Sequence, residues 1–205
     1  KMPGEGVGIE SYYDCVIKNA DISIVAAEQG IAVNGYATPS ATFKGVTITK
    51  SKIYISTLGF TSNGNQGGIA GIKIYNAELS IFDSNVYIES RSCISGNGEP
   101  TNLVFIKGAS VVRLINPNRN DDSVLNAYLS TFDLSKGGSV TINSPCYKFY
   151  YICNVKLVGG TKAEYGTKGS QSTNDSDAYY YETKHSDDLK ILRFVYGAGA
   201  GTATT

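Results

Sequence analysis

Asp121 and Asp122 beside Arg119, in "NRNDDS" (118–123), are the best local material for a site of acidic and basic groups. Paired carboxylates suit a hard cation such as calcium, and a neighbouring guanidinium suits an anionic substrate. The same residues are good turn formers and one short cluster sets no geometry, so a solvated loop is the plainer account of them. Tyr147, Phe149 and Tyr151 alternate onto one face of an extended segment with Tyr150 on the other, and Tyr179, Tyr180 and Tyr181 follow. An exposed aromatic face can stack on the apolar face of a sugar, although aromatics in strands also pack for their own sake. The chain has no Trp. "NDSD" at 174–177 offers oxygen ligands but lacks the spaced acidic residues and the glycine of a dedicated calcium loop, so no cofactor is expected. "SNGNQGG" at 62–68 has no Lys-Ser/Thr and leads into a strand pattern, which makes it a turn and not a phosphate cradle.

Elements must hold any such group, and composition bounds them. A chain of 205 residues, 41% of them hydrophobic, can bury one substantial core. Eighteen basic residues balance eighteen acidic ones, so the net field favours neither nucleic acid nor an anionic membrane as partner. No apolar run reaches the roughly 18 residues that span a bilayer. The start "KMPGEGVGIE" lacks the apolar stretch of a signal peptide, whereas 23 Gly, 15 Tyr and one Met resemble a secreted β-rich protein. The expectation is an extracellular or cell-surface protein whose leader has been removed. Cys15, Cys93, Cys146 and Cys153 are too scattered for a disulfide framework and are read as small buried hydrophobes, with a Cys146–Cys153 bridge the alternative.

Four segments share one grammar: "CVIKNADISI" (15–24), "VTITKSKIYI" (46–55), "IKIYNAELSI" (72–81) and "VFIKGASV" (104–111). Each alternates apolar with polar residues, breaks at a small residue and resumes. Period-two alternation buries one face of a strand, and a break at a fixed place marks a corner. Aligned in this way, Ile17, Ile48, Ile74 and Ile106 close a first strand, Ile22, Ile53, Leu79 and Val111 open a second, and Ala20, Ser51, Ala77 and Ala109 share the corner. Asn19, Asn76 and Gly108 stand before the small residue because Asn and Gly tolerate left-handed backbone angles. Arg113 then falls on an inward position, for which a bulge delivering Leu114 is expected. "GIAVNG" (30–35), "GIAG" (68–71) and "CISGNG" (93–98) supply a third short strand, and "GIES" (8–11) a remnant of an earlier one. "FDLSKGGSVTI" (132–142) is a weaker copy, and "VKLVGG" (155–160) keeps the first strand and turn but loses the second.

Three strands per unit, with corners and no two-residue hairpin turns, describe a chain that winds so that equivalent strands stack in parallel about 4.8 Å apart. The ladder positions across residues 9–160 resemble the right-handed parallel β-helix of the pectate-lyase-like superfamily, in particular non-catalytic or polysaccharide-binding segments of bacterial secreted and surface proteins. The expected fold is all-β, a single-stranded right-handed parallel β-helix of about six coils over residues 1–160. Residues 161–205 form a cap or excursion of the same domain, in which 189–196 closes the stack and a Gly-Ala-Thr tail follows.

The resemblance implies a secreted or surface module that binds polysaccharide or acts as an adhesin, with Tyr147, Phe149, Tyr151, Arg119, Asp121 and Asp122 as the candidate ligand-binding residues. An alternative is a polysaccharide lyase or glycoside hydrolase acting on acidic glycans, and another is a purely structural stalk. Hydrolases of the superfamily would be expected to show Asn-Thr-Asp, Asp-Asp and Gly-His-Gly. Here only Asp-Asp is found, and the single His185 lies in the polar run 166–188, so the reading leans away from catalysis.

Overall fold

The computed structural model of the chain describes residues 6–26, 28–34, 45–57, 70–96, 100–117, 123–145, 153–165, 168–171, 176–181 and 191–197. Among them there is no helix. Sheet A contains β1 (Val7–Ser11), β4 (Gln29–Asn34), β7 (Ala70–Tyr75), β10 (Ser92–Ser95) and β13 (Leu125–Asn126), in that order and all parallel. Sheet B stacks β2 (Cys15–Lys18), β5 (Gly45–Thr49), β8 (Glu78–Phe82), β11 (Leu103–Lys107), β14 (Leu129–Asp133) and β16 (Asn154–Val158) in parallel. Sheet C stacks β3 (Asp21–Val25), β6 (Lys52–Thr57), β9 (Asn85–Ser90), β12 (Val111–Ile115) and β15 (Ser139–Asn143), again in parallel. From β2 to β15 the chain visits the sheets in the unbroken cycle B, C, A, and consecutive strands never pair. The sheets remain open, and this order is compatible with a β-helix.

Alternation sets the core. Ile17, Ile48, Ile81, Ile106 and Phe132 form one inward column of sheet B. Ile24, Ile55, Ile88, Leu114 and Ile142 form the matching column of sheet C, and Ile9, Ile31, Ile72, Ile94 and Leu125 that of sheet A. From the second round on these residues are buried in one continuous cluster. Each buried side chain contributes about 1.5–3 kcal/mol relative to exposure.

At the far end, β20 (Ile191–Tyr196) enters sheet C antiparallel between β15 and β17 (Thr161–Tyr165), so the C-terminal strand does close against the stack. It brings Leu192 opposite Ile142 and Phe194 opposite Val140, and the Phe194 ring meets Phe132 edge-on at 5.0 Å. β19 (Ala178–Tyr181) and β18 (Lys168–Gln171) extend sheet B, also antiparallel. β17 shows that the last unit keeps a second strand after the Gly159–Gly160 turn, contrary to its expected loss.

The structure corrects the phase of the repeat. Ile74 lies opposite Val33 in sheet A, and it is Ile81 that joins Ile17, Ile48 and Ile106. The second-strand column is likewise Ile22, Ile53, Val86 and Val112, with Leu79 one sheet away beside Val46. Asn76–Ala77 and Asn19–Ala20 are therefore different corners solved by the same chemistry. The B-to-C corner uses Asn19, Lys50, Asp83 and Gly108, at φ 52°, 47°, 47° and 74°, and Asn76 turns the A-to-B corner at 50°. Arg113 points outward in unbroken register between inward Val112 and Leu114, so no bulge is needed.

Serine completes the B-to-C corner. The Ala20 N–H donates to Ser51 Oγ (3.1 Å), Ser51 N–H to Ser84 Oγ (3.1 Å) and Ser84 N–H to Ser110 Oγ (3.3 Å), a hydroxyl ladder linking four rounds. Each hydroxyl donates in turn to a carbonyl of its own corner, Thr49, Phe82 and Lys107 respectively. These satisfied bonds, buried or part-buried, contribute about 1 kcal/mol each.

Glycine marks the closest approach of two sheets. Gly8, Gly30 and Gly71 share a column of sheet A, and a Cβ on them would overlap Ile24, Ile55 and Ile88 of sheet C respectively. Gly71→Ala is expected to lower unfolding free energy by about 3 kcal/mol through overpacking. Gly137→Ala, where an added Cβ meets nothing within 4 Å but φ is 87°, is expected to cost about 1 kcal/mol. Urea denaturation of both variants measures the difference, and an equal or smaller loss at Gly71 contradicts the packing argument.

Candidate functional site

None of the six sequence candidates, Arg119, Asp121, Asp122, Tyr147, Phe149 and Tyr151, is among the described residues, and His185 and Cys146 also lie outside them. Of the other tyrosines singled out, Tyr179 packs against the core cluster, which assigns its ring to packing. Asp177 of "NDSD" faces Lys156 at 3.6 Å. Among the described residues no group of three or more His, Cys, Asp or Glu is placed to hold a metal ion.

A different aromatic group emerges on the outer face of sheet C. Parallel register carries every outward side chain to the neighbouring strand about 4.8 Å away, so residues far apart in sequence form columns. One such column reads Ser23, Tyr54, Tyr87, Arg113 and Thr141. The Tyr54 and Tyr87 rings stack with centroids 5.3 Å apart and planes 14° from parallel. Tyr54 is 39% exposed. Its second face looks toward Ser23, whose side chain is too short to cover a ring. The sequence held a signal for this pair, the similar "IYIS" at 53–56 and "VYIE" at 86–89, but the alignment paired 46–55 with 72–81 and left 86–89 unmatched.

A polar column and a mixed one flank the tyrosines. Asp21, Lys52 and Asn85 lie on one side, and Val25, Ser56 and Glu89 on the other. Lys52 Nζ meets Asp21 Oδ2 at 3.5 Å, an exposed pair worth little in stability but one that places a donor beside an acceptor in the column next to Ser23 and Tyr54. Burial, and then the Glu89 carboxylate, push the Tyr87 pKa up, so its hydroxyl stays protonated. The face combines a flat aromatic surface with hydroxyl, amide, ammonium and carboxylate groups, which can hold a ligand having one apolar and one hydroxylated side.

The buried thiols have no comparable access. Cys93 is opposite Gly71 in the glycine column, with Sγ 3.4 Å from the Ile115 carbonyl and 3.5 Å from that of Ile88. Burial pushes its pKa well up, and that of Cys153 up to about 12. Cys15 is half-buried and shifted the same way by the same cause. Thiols held protonated in an apolar core are poor nucleophiles, which fits a packing role.

No protein-family model, curated protein or solved structure matches the chain.

The thiols carry a pH dependence with a definite sign. Their folded pKa values lie above the ordinary 9.0, so their contribution is complete below pH 9 and is lost as pH rises toward 12. The urea midpoint is expected to be flat from pH 6 to 8 as far as these groups act, and to fall above pH 9. At pH 8 iodoacetamide should leave Cys93 and Cys153 unlabelled in the folded protein and label both in urea, read by peptide mass spectrometry. Labelling of Cys93 without denaturant would contradict its placement.

Proposed function

We propose that the chain is a non-catalytic polysaccharide-binding module of a secreted or cell-surface protein, built as a single-stranded right-handed parallel β-helix of the pectate-lyase-like kind. The fold reading is supported by the B, C, A cycle of parallel strands and their in-register columns. The observation that carries the function is the outward Tyr54–Tyr87 stack, which leaves one phenol face open on a rigid sheet among groups suited to sugar hydroxyls. Carbohydrate recognition needs a flat apolar patch bordered by fixed hydrogen-bonding groups, and a strand with both neighbours paired holds such a patch without a further ordering cost. With no Trp in the chain, tyrosine and phenylalanine are the stacking groups available.

The intact protein, screened against immobilised polysaccharides, is expected to bind at least one. A Tyr54→Ala, Tyr87→Ala double variant should lose more than about tenfold in affinity, the equivalent of about 1.4 kcal/mol. Neither protein should release reducing ends or unsaturated products on prolonged incubation. Turnover of any of these polymers would instead support the enzyme reading.

A further inference from the structure

We infer that the open face of Tyr54, together with Asp21 and Lys52, forms a ledge for one pyranose unit of a neutral glycan and disfavours acidic glycans. This rests on the polysaccharide-binding reading and specifies its ligand. Four observations converge. First, the Tyr54–Tyr87 planes are nearly parallel and their separation is close to the strand spacing, so the rings face along the stack of strands. The uncovered side of Tyr54 therefore overhangs β3, the terminal strand of sheet C.

Second, the floor beneath that overhang is low. Ser23 sits opposite Tyr54, is exposed, and leaves room for a sugar ring lying parallel to the phenol.

Third, the two sides of the ledge differ in chemistry. Val25, 81% exposed, borders it on one side. Asp21 and Lys52 border it on the other, with the Asp21 carboxylate and the Lys52 ammonium only 3.5 Å apart. A carboxylate accepts from two vicinal hydroxyls and an ammonium donates to a third, while the apolar C–H face of the sugar meets the ring.

Fourth, the charge on this face is balanced. On β3, β6, β9 and β12 the outward charges are Asp21 and Glu89 against Lys52 and Arg113. Among the described residues of these strands, the cation on the β3 side of the tyrosine stack is Lys52, which has Asp21 3.5 Å away. A uronate or sulfated unit on the ledge would bring its negative charge against Asp21, a like-charge contact that works against binding.

Affinity electrophoresis of the intact protein tests this, with β-glucan, mannan and arabinoxylan as neutral probes and polygalacturonate, alginate and hyaluronan as acidic ones. At least one neutral polymer is expected to retard the protein, equally at 50 mM and 500 mM NaCl. Tyr54→Ala should abolish the retardation, and Asp21→Asn should weaken it about tenfold. Both substitutions are at exposed positions, and circular dichroism and the urea midpoint check that the fold is kept. Retardation by acidic polymers alone would overturn the neutral-ligand inference and leave the polysaccharide-binding reading standing. The same holds for retardation by a neutral polymer that survives Tyr54→Ala or is unchanged in Asp21→Asn. Retardation by neither class would overturn both.

Discussion

In-register parallel stacking is the constraint on which the rest depends. Every strand between the ends of a sheet satisfies its backbone N–H and C=O groups through its neighbours on either side, and unpaired groups away from water are costly. Once that pairing is fixed, each side chain has a counterpart one strand away, pointing the same way. An inward residue must then be apolar in round after round, and a position without room must be glycine in round after round. Gly8, Gly30 and Gly71 follow from Ile24, Ile55 and Ile88 in this sense, since the β-branched side chain of one sheet occupies the space that a Cβ on the other would need.

Apolar columns alone would tolerate a slip of two residues, because period-two alternation looks the same after such a shift. The polar corners do not tolerate it. The Ser51, Ser84 and Ser110 hydroxyls each take one N–H from the preceding round and donate to one local carbonyl, so a slip would leave both groups buried and unpaired. Thr57 and Ser90, fully buried and 2.7 Å apart, make a similar link at the corner between sheets C and A. The core thus supplies cohesion and the corners supply register.

Much of this was legible from residue types. Strand alternation, parallel stacking and the left-handed corners at Asn19, Asn76 and Gly108 appear where local patterns place them, and the closing strand expected at 189–196 is found at Ile191–Tyr196. The phase of the repeat was not legible, for a physical reason: a left-handed residue followed by a small one solves any tight corner, so Asn76–Ala77 reads like Asn19–Ala20 although they join different sheets. Lys50 and Asp83 turn their corners with residues less suited to φ > 0, held there by the ladder bonds of the flanking strands. With the phase displaced, Tyr54 was placed in a second strand while residues 85–90 were matched to no other segment, and the column that joins Tyr54 to Tyr87 could not be seen. Contact across 33 residues is a property of register, which alternation does not specify.

The proposed ligand site is a by-product of the same register, since Tyr54 and Tyr87 stack because the pairing of β6 with β9 sets them opposite each other. Interstrand nuclear Overhauser effects measure that register most directly. In isotopically labelled protein, Thr47–Thr49 should show Hα–amide cross-peaks to Ser80–Phe82, and Lys52–Ser56 to Asn85–Glu89, with the regular stepping of parallel strands. Strong Hα–Hα cross-peaks between these segments, the mark of antiparallel pairing, or ladder contacts from Ile48 to Ile74 in place of Ile81, would contradict the account.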